Sequence, residues 1–349
     1  MTVKLKFNDY INIDGQDLIK KYIQSLSYDE REALIDPIFN ILRESGFIYP
    51  DDKSSLKKSY KKILEYKSPI TENFIFNNTS TGTDICKYFC PEFYLTTGKN
   101  GSTMVDLFND DVVLKRLIKN RLGMDWLLDD GKGKGVNEAF NFRFKMVIQG
   151  FRSMHLVHPT SMFKPTIAKW VVEKYSNEGD LVGDYSAGFG GRLLGAVAAN
   201  RRYIGVDPLT ANSLNTMIDY FGFNDKAQVI QSTSEDYVGQ ENSVDLYWSS
   251  PPYYNQEYYS KDISQAYNKG EDYFYNIYWR NTLKNVKFML KPEKWFGLNV
   301  KNYPKMVEIA EELFGDVVEK LALNTVRSHL TKSAGVTKEE YIYMFKNNK

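Results

Sequence analysis

The residues with the most specific chemistry are Ser250, Pro251, Pro252 and Tyr253, which end the apolar run Val244-Asp245-Leu246-Tyr247-Trp248-Ser249. Prolines lack N–H donors and stop sheet pairing, so a prolyl pair at a strand end is costly as structure. It is useful where bare carbonyl acceptors must face a cleft. The exocyclic amine of cytosine or adenine is a weak nucleophile, because its lone pair is delocalised into the ring. Two acceptors that take its N–H protons favour a pyramidal nitrogen with the lone pair free for in-line attack on a methyl group. The Ser250 side chain and the Pro251 carbonyl can supply them, with Tyr253 stacked on the base. The competing reading is a plain tight turn in a chain that holds 25 tyrosines.

A second group of residues suits a bound nucleoside. Asp184-Tyr185-Ser186-Ala187-Gly188-Phe189-Gly190-Gly191 follows a strand-like run and opens a helix. Glycines there let the backbone approach a ligand and adopt positive φ, and a helix N-terminus adds oriented N–H donors. An acid, Asp184, stands where the dinucleotide-binding pattern has its first glycine. The next strand, Arg202–Val206, is followed by Asp207, placed to accept two ribose hydroxyls. Asp207 can equally cap the following helix, with Pro208 at its first position; the two roles are compatible. After the third strand come Glu235 and Asp236, one of which would lie beside an adenine ring unless the pair only starts a helix.

These residues need a scaffold, and the pattern from about residue 155 onward supplies one. Strand-like runs at 181–184, 202–207, 227–231 and 244–248 alternate with helix-like runs at 163–175, 193–199 and 209–221. That alternation means a parallel sheet covered on both faces, with ligands at the carboxyl ends of the strands. Residues 1–150 read differently. Helix-like spacing of Leu18, Tyr22, Ile23, Leu26, Leu34, Ile35, Ile38 and Leu42 ends at Gly46, and residues 105–128 are helical before a glycine-rich break at 129–135. The expected division is therefore a mostly helical accessory region, 1–150, and a catalytic domain, 151–349. Lys57, Lys58, Lys61 and Lys62 form either a solvated helical face or a phosphate-contacting surface.

From Tyr253 to Arg280 the chain interleaves tyrosines with Lys261, Lys269 and Arg280, a composition suited to an extruded or single-stranded nucleotide. The aromatics nearest the turn are expected to be functional, and Phe274, Ile277 and Tyr278, at helical spacing, to be buried. Lys320, Arg327 and Lys332 could reach phosphates or simply be solvated.

Composition narrows the classes. The 349 residues carry 45 Lys and Arg against 44 Asp and Glu, so positive charge for a polyanion must be concentrated locally. Cys86 and Cys90 have no second Cys or His pair beside them, and no metal site is expected. A reducing cytoplasm, bacterial or in a phage-infected host, fits the absence of an apolar leader and of any long apolar stretch. Oligomeric state is not legible.

Asp-Tyr-Ser-Ala-Gly-Phe-Gly-Gly together with Ser-Pro-Pro-Tyr resembles the DNA amino-methyltransferase family over roughly residues 155–300. His158-Pro159 and Phe163-Lys164-Pro165-Thr166 resemble the family's helix before the glycine motif, which implies that His158, Lys164 and Pro165 help hold the methionine part of the cofactor. Gly190-Gly191-Arg192-Leu193-Leu194-Gly195-Ala196 and Asn255-Gln256-Glu257-Tyr258-Tyr259-Ser260 are similar to methyltransferases of phages and mobile elements. The resemblance implies a Rossmann-like S-adenosylmethionine-dependent methyltransferase fold. It also implies cofactor contacts from Asp184, Ser186, Ala187, Gly188, Gly190, Asp207, Pro208 and Glu235 or Asp236, and catalysis by Ser250, Pro251, Pro252 and Tyr253. Ser186 replaces the family's usual phenylalanine, and Gln231-Ser232 replaces its usual Gly-Asp. Ser-Pro-Pro-Tyr is commoner in the cytosine branch, so cytosine N4 is favoured over adenine N6. The expected partner is double-stranded DNA with a flipped base. An RNA or tRNA amino-methyltransferase and a non-catalytic nucleic-acid-binding relative are the alternatives.

Overall fold

The computed structural model of the chain describes residues 23, 25–47, 49–67, 70–71, 74–76, 79–98, 101–124, 150–151, 154, 156, 160, 162–254, 257–262, 264–301, 303–324 and 339–349. These fall into two compact units: one from 1–51 and 94–160, the other from 52–93 and 161–349. The sequence pattern groups residues 52–93 with the accessory region; in the structure they belong to the second compact unit, with 161–349.

The first unit is helical where it is described. Ser27 and Thr103 each accept from the third residue of the following helix and receive a reciprocal carboxylate, two capping boxes that fix the starts of helices Tyr28–Glu32 and Met104–Asn109. Helices Ile35–Ser45 and Asp111–Arg121 bury Ile38, Leu42, Leu114, Leu117 and Ile118. Arg43 joins them, its Nε 3.0 Å from an Asp111 carboxylate oxygen. The break expected at 129–135 lies outside the described residues.

The second unit is built on a nine-stranded sheet. Its elements are α1 (Leu56–Glu65), β1 (Ile70–Thr71), β2 (Phe74–Phe76), α2 (Thr83–Phe89), α3 (Pro165–Tyr175), β3 (Leu181–Asp184), α4 (Gly191–Ala198), β4 (Arg202–Val206), α5 (Ala211–Phe221), β5 (Ala227–Ile230), β6 (Val244–Ser249), α6 (Arg280–Met289), β7 (Leu290–Val300), α7 (Pro304–Phe314), β8 (Glu319–Asn324) and β9 (Glu339–Lys346). The strand order is β1-β2-β8-β9-β7-β6-β3-β4-β5. Strands β5, β4, β3, β6 and β7 run parallel, and β9 is antiparallel to both β7 and β8. This is the expected Rossmann-like α/β arrangement. Every residue of β6 is buried, as a central parallel strand requires.

The chain turns from β3 to β4 on one side of β3, while β6 pairs on its other side. A crevice therefore opens beyond the carboxyl ends of β3 and β6, where the strand order reverses. The antiparallel strand β9 brings its first residues to that same edge, with Tyr341 opposite Val300, the last residue of β7.

Segment 52–93 is fastened to this unit. Lys169, only 7% exposed, donates from Nζ to the carbonyls of Ile63 (3.2 Å), Leu64 (2.6 Å) and Tyr66 (3.0 Å), so a buried cation satisfies the last carbonyls of α1. Lys57, Lys58, Lys61 and Lys62 are all exposed on that helix. Both cysteines are free and buried, and burial pushes the Cys86 thiol up to about 12.

Residues 273–279 depart from expectation. They form a π-helical turn running into α6, and its i→i+5 winding breaks the 3.6-residue spacing. Phe274 and Tyr278 are buried as expected, together with Tyr275 and Trp279, but Ile277 is 43% exposed.

Candidate active site

A cleft of about 1000 Å³, measured out to its open mouth, lies at the carboxyl ends of the parallel strands. Three loops form one side of it: the turn after β3 with Ser186, Ala187 and Gly188, the turn after β4 with Asp207 and Pro208, and the turn after β5 with Ser234 and Glu235. Ser250, Pro252 and Tyr253 form part of the other side. Residues separated by more than sixty positions thus meet in one cavity within one unit.

The glycine turn has the conformation its composition predicts. Gly188 has φ +56°, and a Cβ there would meet nothing closer than 3.7 Å, so the space in front of it is open. Gly190 has φ +81° for a different reason. It is the cap residue just before α4, and a Cβ would press within 2.6 Å of Leu214 Cδ2. Gly190 packs rather than lines, and is not among the cleft residues.

Asp184 is also outside the lining, and it is fully buried. Its carboxylate accepts from Arg192 Nε (2.8 Å), Tyr203 OH (2.7 Å), Ser249 Oγ (2.6 Å) and the Ser186 backbone N–H (3.1 Å). Those four donors give it a structural role, in which it ties the glycine turn to α4, β4 and β6. Arg192, whose guanidinium also reaches the Ser186 carbonyl, does line the cleft.

Asp207 lines the cleft and accepts three backbone N–H bonds at 2.9 Å, from Gly188, Leu209 and Thr210. Burial raises its carboxyl above the usual range against the pull of those donors. The helix it is expected to cap begins at Ala211 with Thr210 as its cap residue, so Pro208 is two residues short of the cap and does not take the first helical position. Asp207 instead closes the turn between β4 and α5, and its Gly188 bond locks the first turn to the second.

Glu235 and Asp236 separate clearly. Glu235 is 7% exposed and lines the cleft; one carboxylate oxygen accepts from Tyr273 OH at 3.0 Å and the other, Oε2, is buried with no partner among the described residues. Asp236 is exposed, accepts from Thr233 Oγ1 and starts no helix. A buried carboxylate oxygen without a donor costs free energy unless a ligand supplies one.

The other side is aromatic and acidic. Tyr253 is buried and stacks on Tyr303, centroids 5.0 Å apart and planes 7° from parallel. Burial raises its phenol well above the ordinary value. Pro251 is buried and does not line the cleft, so the second acceptor expected from its carbonyl is not among the lining groups. Glu257 and Glu340 are, and the sequence pattern assigns neither a role. Tyr259 OH donates to Glu257 Oε2 at 2.7 Å, and the Tyr253 backbone pulls its carboxyl down. Burial pushes Glu257 up to about 7, with the Glu340 charge adding to the shift. Tyr278, carried by the π-helical turn, and Phe163, whose ring lies under the Arg192 guanidinium, also line the cleft.

Lys164 and Pro165 lie off the lining: Lys164 caps α3, and Pro165 opens it at the first helical position. His158, Arg327 and Lys332 lie outside the described residues. Lys320 sits 3.9 Å over the Tyr341 ring. Among the described residues no helix is long and apolar enough to cross a membrane, and no group of three His, Cys, Asp or Glu is placed to hold a metal ion.

No protein-family model and no curated protein matches the chain. Among solved structures it is similar to the [4+2]-cyclase SpnF, with 10% identity over 53% of this chain and 80% of that one, at a TM-score of 0.39. It is similar to the N-methyltransferase NodS from Bradyrhizobium japonicum, with 13% identity over 53% and 94% and a TM-score of 0.36. A third is a SAM-dependent O-methyltransferase from Thermotoga maritima, with 11% identity over 58% and 71% and a TM-score of 0.38. Likeness at this level carries no argument about substrate or site, which rest on the geometry above.

Proposed function

We propose that this chain is an S-adenosylmethionine-dependent methyltransferase acting on the exocyclic amino group of a nucleic-acid base in DNA, with cytosine N4 favoured over adenine N6. The observation that carries the reading is the convergence, in one cleft, of the turns after β3, β4 and β5 with Ser250, Pro252 and Tyr253. The fit of the cofactor is supported by two features. Gly188 opens space for a ligand against the backbone, and the unpartnered Glu235 Oε2 is an acceptor waiting for a donor.

Asp207 and Glu235 would hold the ribose and adenine ends of the cofactor, and the backbone of 186–188 its amino-acid end. Asp184 and Arg192 hold that backbone in position. S-adenosylmethionine, when bound, supplies a methyl group on a positively charged sulfur. Ser250 Oγ would accept an N–H of the target amine, drawing its lone pair out of the ring system, while Tyr253, backed by Tyr303, offers a rigid face to the base. The partner is double-stranded DNA from which the base is flipped into the cleft.

Incubation with methyl-labelled S-adenosylmethionine and duplex DNA, followed by digestion to nucleosides, tests this. Label in N4-methylcytidine or N6-methyladenosine of the deoxy series supports the reading and fixes the base. Label only in RNA given in parallel moves the substrate to RNA, and failure to bind the cofactor in calorimetry removes the reading altogether.

A further inference from the structure

The carboxyl of Glu257 faces the same cavity as Ser250, Pro252 and Tyr253, and Glu340 lines that cavity too. Glu257 is held rather than free to swing: Tyr259 OH donates to its Oε2 at 2.7 Å. The Tyr259 bond uses one acceptor position; a protonated carboxyl still offers the cavity an O–H donor and a carbonyl acceptor. The charged and titratable groups around it, among the described residues, are Glu340, Tyr253, Tyr259 and Tyr267. Arg192 lines the same cavity, and Tyr259 and the Tyr253 backbone favour the ionised form, but burial outweighs them.

We infer that Glu257 is the residue that reads the target base, acting as a neutral carboxylic acid that binds the amidine edge shared by cytosine and adenine. This rests on the methyltransferase reading and names the recognition element of its site. Cytosine presents a ring-nitrogen acceptor beside an amino donor, and so does adenine. A carboxylic acid presents the complement: its O–H donates to the ring nitrogen and its carbonyl oxygen accepts one amino N–H. The second amino N–H remains for Ser250. Two acceptors then flank the amine even though Pro251 does not line the cavity. An ionised carboxylate would set an acceptor against the ring nitrogen and would suit instead an edge with two donors, as in guanine. Burial and the neighbouring Glu340 push Glu257 up to about 7, so the neutral form persists where an ordinary glutamate is ionised.

Transfer of labelled methyl groups to a mixed-sequence duplex DNA, measured from pH 6 to pH 9 for wild type, Glu257→Gln and Glu257→Ala, tests the assignment. Glutamine keeps one donor and one acceptor and does not titrate. Wild-type kcat/KM should fall about tenfold per pH unit above 7, as loss of one proton requires. Glu257→Gln should show no such fall and should exceed Glu257→Ala about tenfold or more at pH 6, while cofactor affinity in calorimetry is the same in all three. A wild-type decline retained in Glu257→Gln, or wild-type transfer by Glu257→Ala, overturns the assignment. So does a protein that binds the cofactor but transfers nothing to this DNA. A wild type that binds no cofactor overturns the methyltransferase reading itself, which is a separate result.

Discussion

The glycine-turn side of the cleft takes its polar groups from three consecutive strand–turn units, and Asp207 there is held by local partners. It is closed off by backbone donors two and three residues away on its own turn and by Gly188 on the adjoining one. The Ser250 side is assembled from afar. Glu257 leans on Tyr259, Tyr253 stacks on Tyr303, and Glu340 arrives on β9, ninety positions beyond Ser250. The first side is a rigid cradle whose geometry follows from the chain's local path. The second is a surface whose charge state depends on what surrounds it. Changes on the first should therefore move ligand affinity, and changes on the second should move transfer and its pH dependence.

The sharpest way to break that division is Tyr253→Ala. Loss of a stacking face costs about 1–3 kcal/mol, and a misplaced reacting group about a hundredfold more in rate, so kcat/KM should drop on the order of 10³-fold. Cofactor affinity should change less than about threefold. Because Tyr253 also belongs to the buried cluster with Phe274 and Trp279, the melting temperature is measured beside it. Equal loss of transfer and of cofactor binding would dissolve the distinction between the two sides.

Glu257 gives the next largest effect, on stability. Its carboxyl titrates near 7 in the folded chain against 4.5 for the ordinary group. Below about pH 4.5 the proton is bound in both states and the raised value costs nothing. Between 4.5 and 7 the unfolded chain releases the proton while the folded chain keeps it, so stability falls as pH rises and levels off above 7. The full penalty is at most about 3.5 kcal/mol. Glu257→Gln removes the titration, so denaturant midpoints of variant and wild type should diverge over that window in favour of the variant. Parallel curves would show that Glu257 is solvated and ordinary.

On the other side, Glu235→Gln should weaken cofactor binding about tenfold, the value of one hydrogen bond with a charged partner. Transfer at saturating cofactor should stay near wild type, which titration calorimetry and initial rates separate.

The contrast between the sides also explains what the sequence could show. Strands β3 to β6 and the turns between them are readable because each is a local alternation of apolar run, turn and helix; the observed bounds differ from the expected ones by a residue or two. Asp184 is legible from its place at a strand end, but its partners Arg192, Tyr203 and Ser249 come from three other places in the chain, and only the fold shows that they occupy its carboxylate. Glu257 is visible within the Asn-Gln-Glu-Tyr-Tyr-Ser run after the catalytic turn, yet its burial is a tertiary property. Glu340 gives no signal, because an antiparallel strand beyond the parallel strands carries it to the cleft. Ile277 defeats the pattern because periodicity assumes 3.6 residues per turn and the chain there winds as a π-helix. Segment 52–93 goes with the accessory region by its position in the chain, whereas a buried lysine, Lys169 of α3, fastens its helix to the second unit.

The smallest effect expected is also the cleanest test of the cradle. Gly188→Ala puts a Cβ into open space, so no clash contributes; what remains is the cost of a left-handed backbone at φ +56°, about 1 kcal/mol. If that space is where a ligand meets the backbone, the methyl group obstructs it and cofactor affinity falls by more than the stability does. Gly190→Ala reverses the proportion, since its Cβ would strike Leu214 inside the packing and not the cleft. Thermal melts with and without S-adenosylmethionine separate the two: Gly188→Ala should lose most of the ligand-induced rise in melting temperature, whereas Gly190→Ala should keep that rise on a lowered baseline. Equal behaviour of the two variants would mean that the glycine turn is built for packing alone, and the ligand would have to be sought on the Ser250 side.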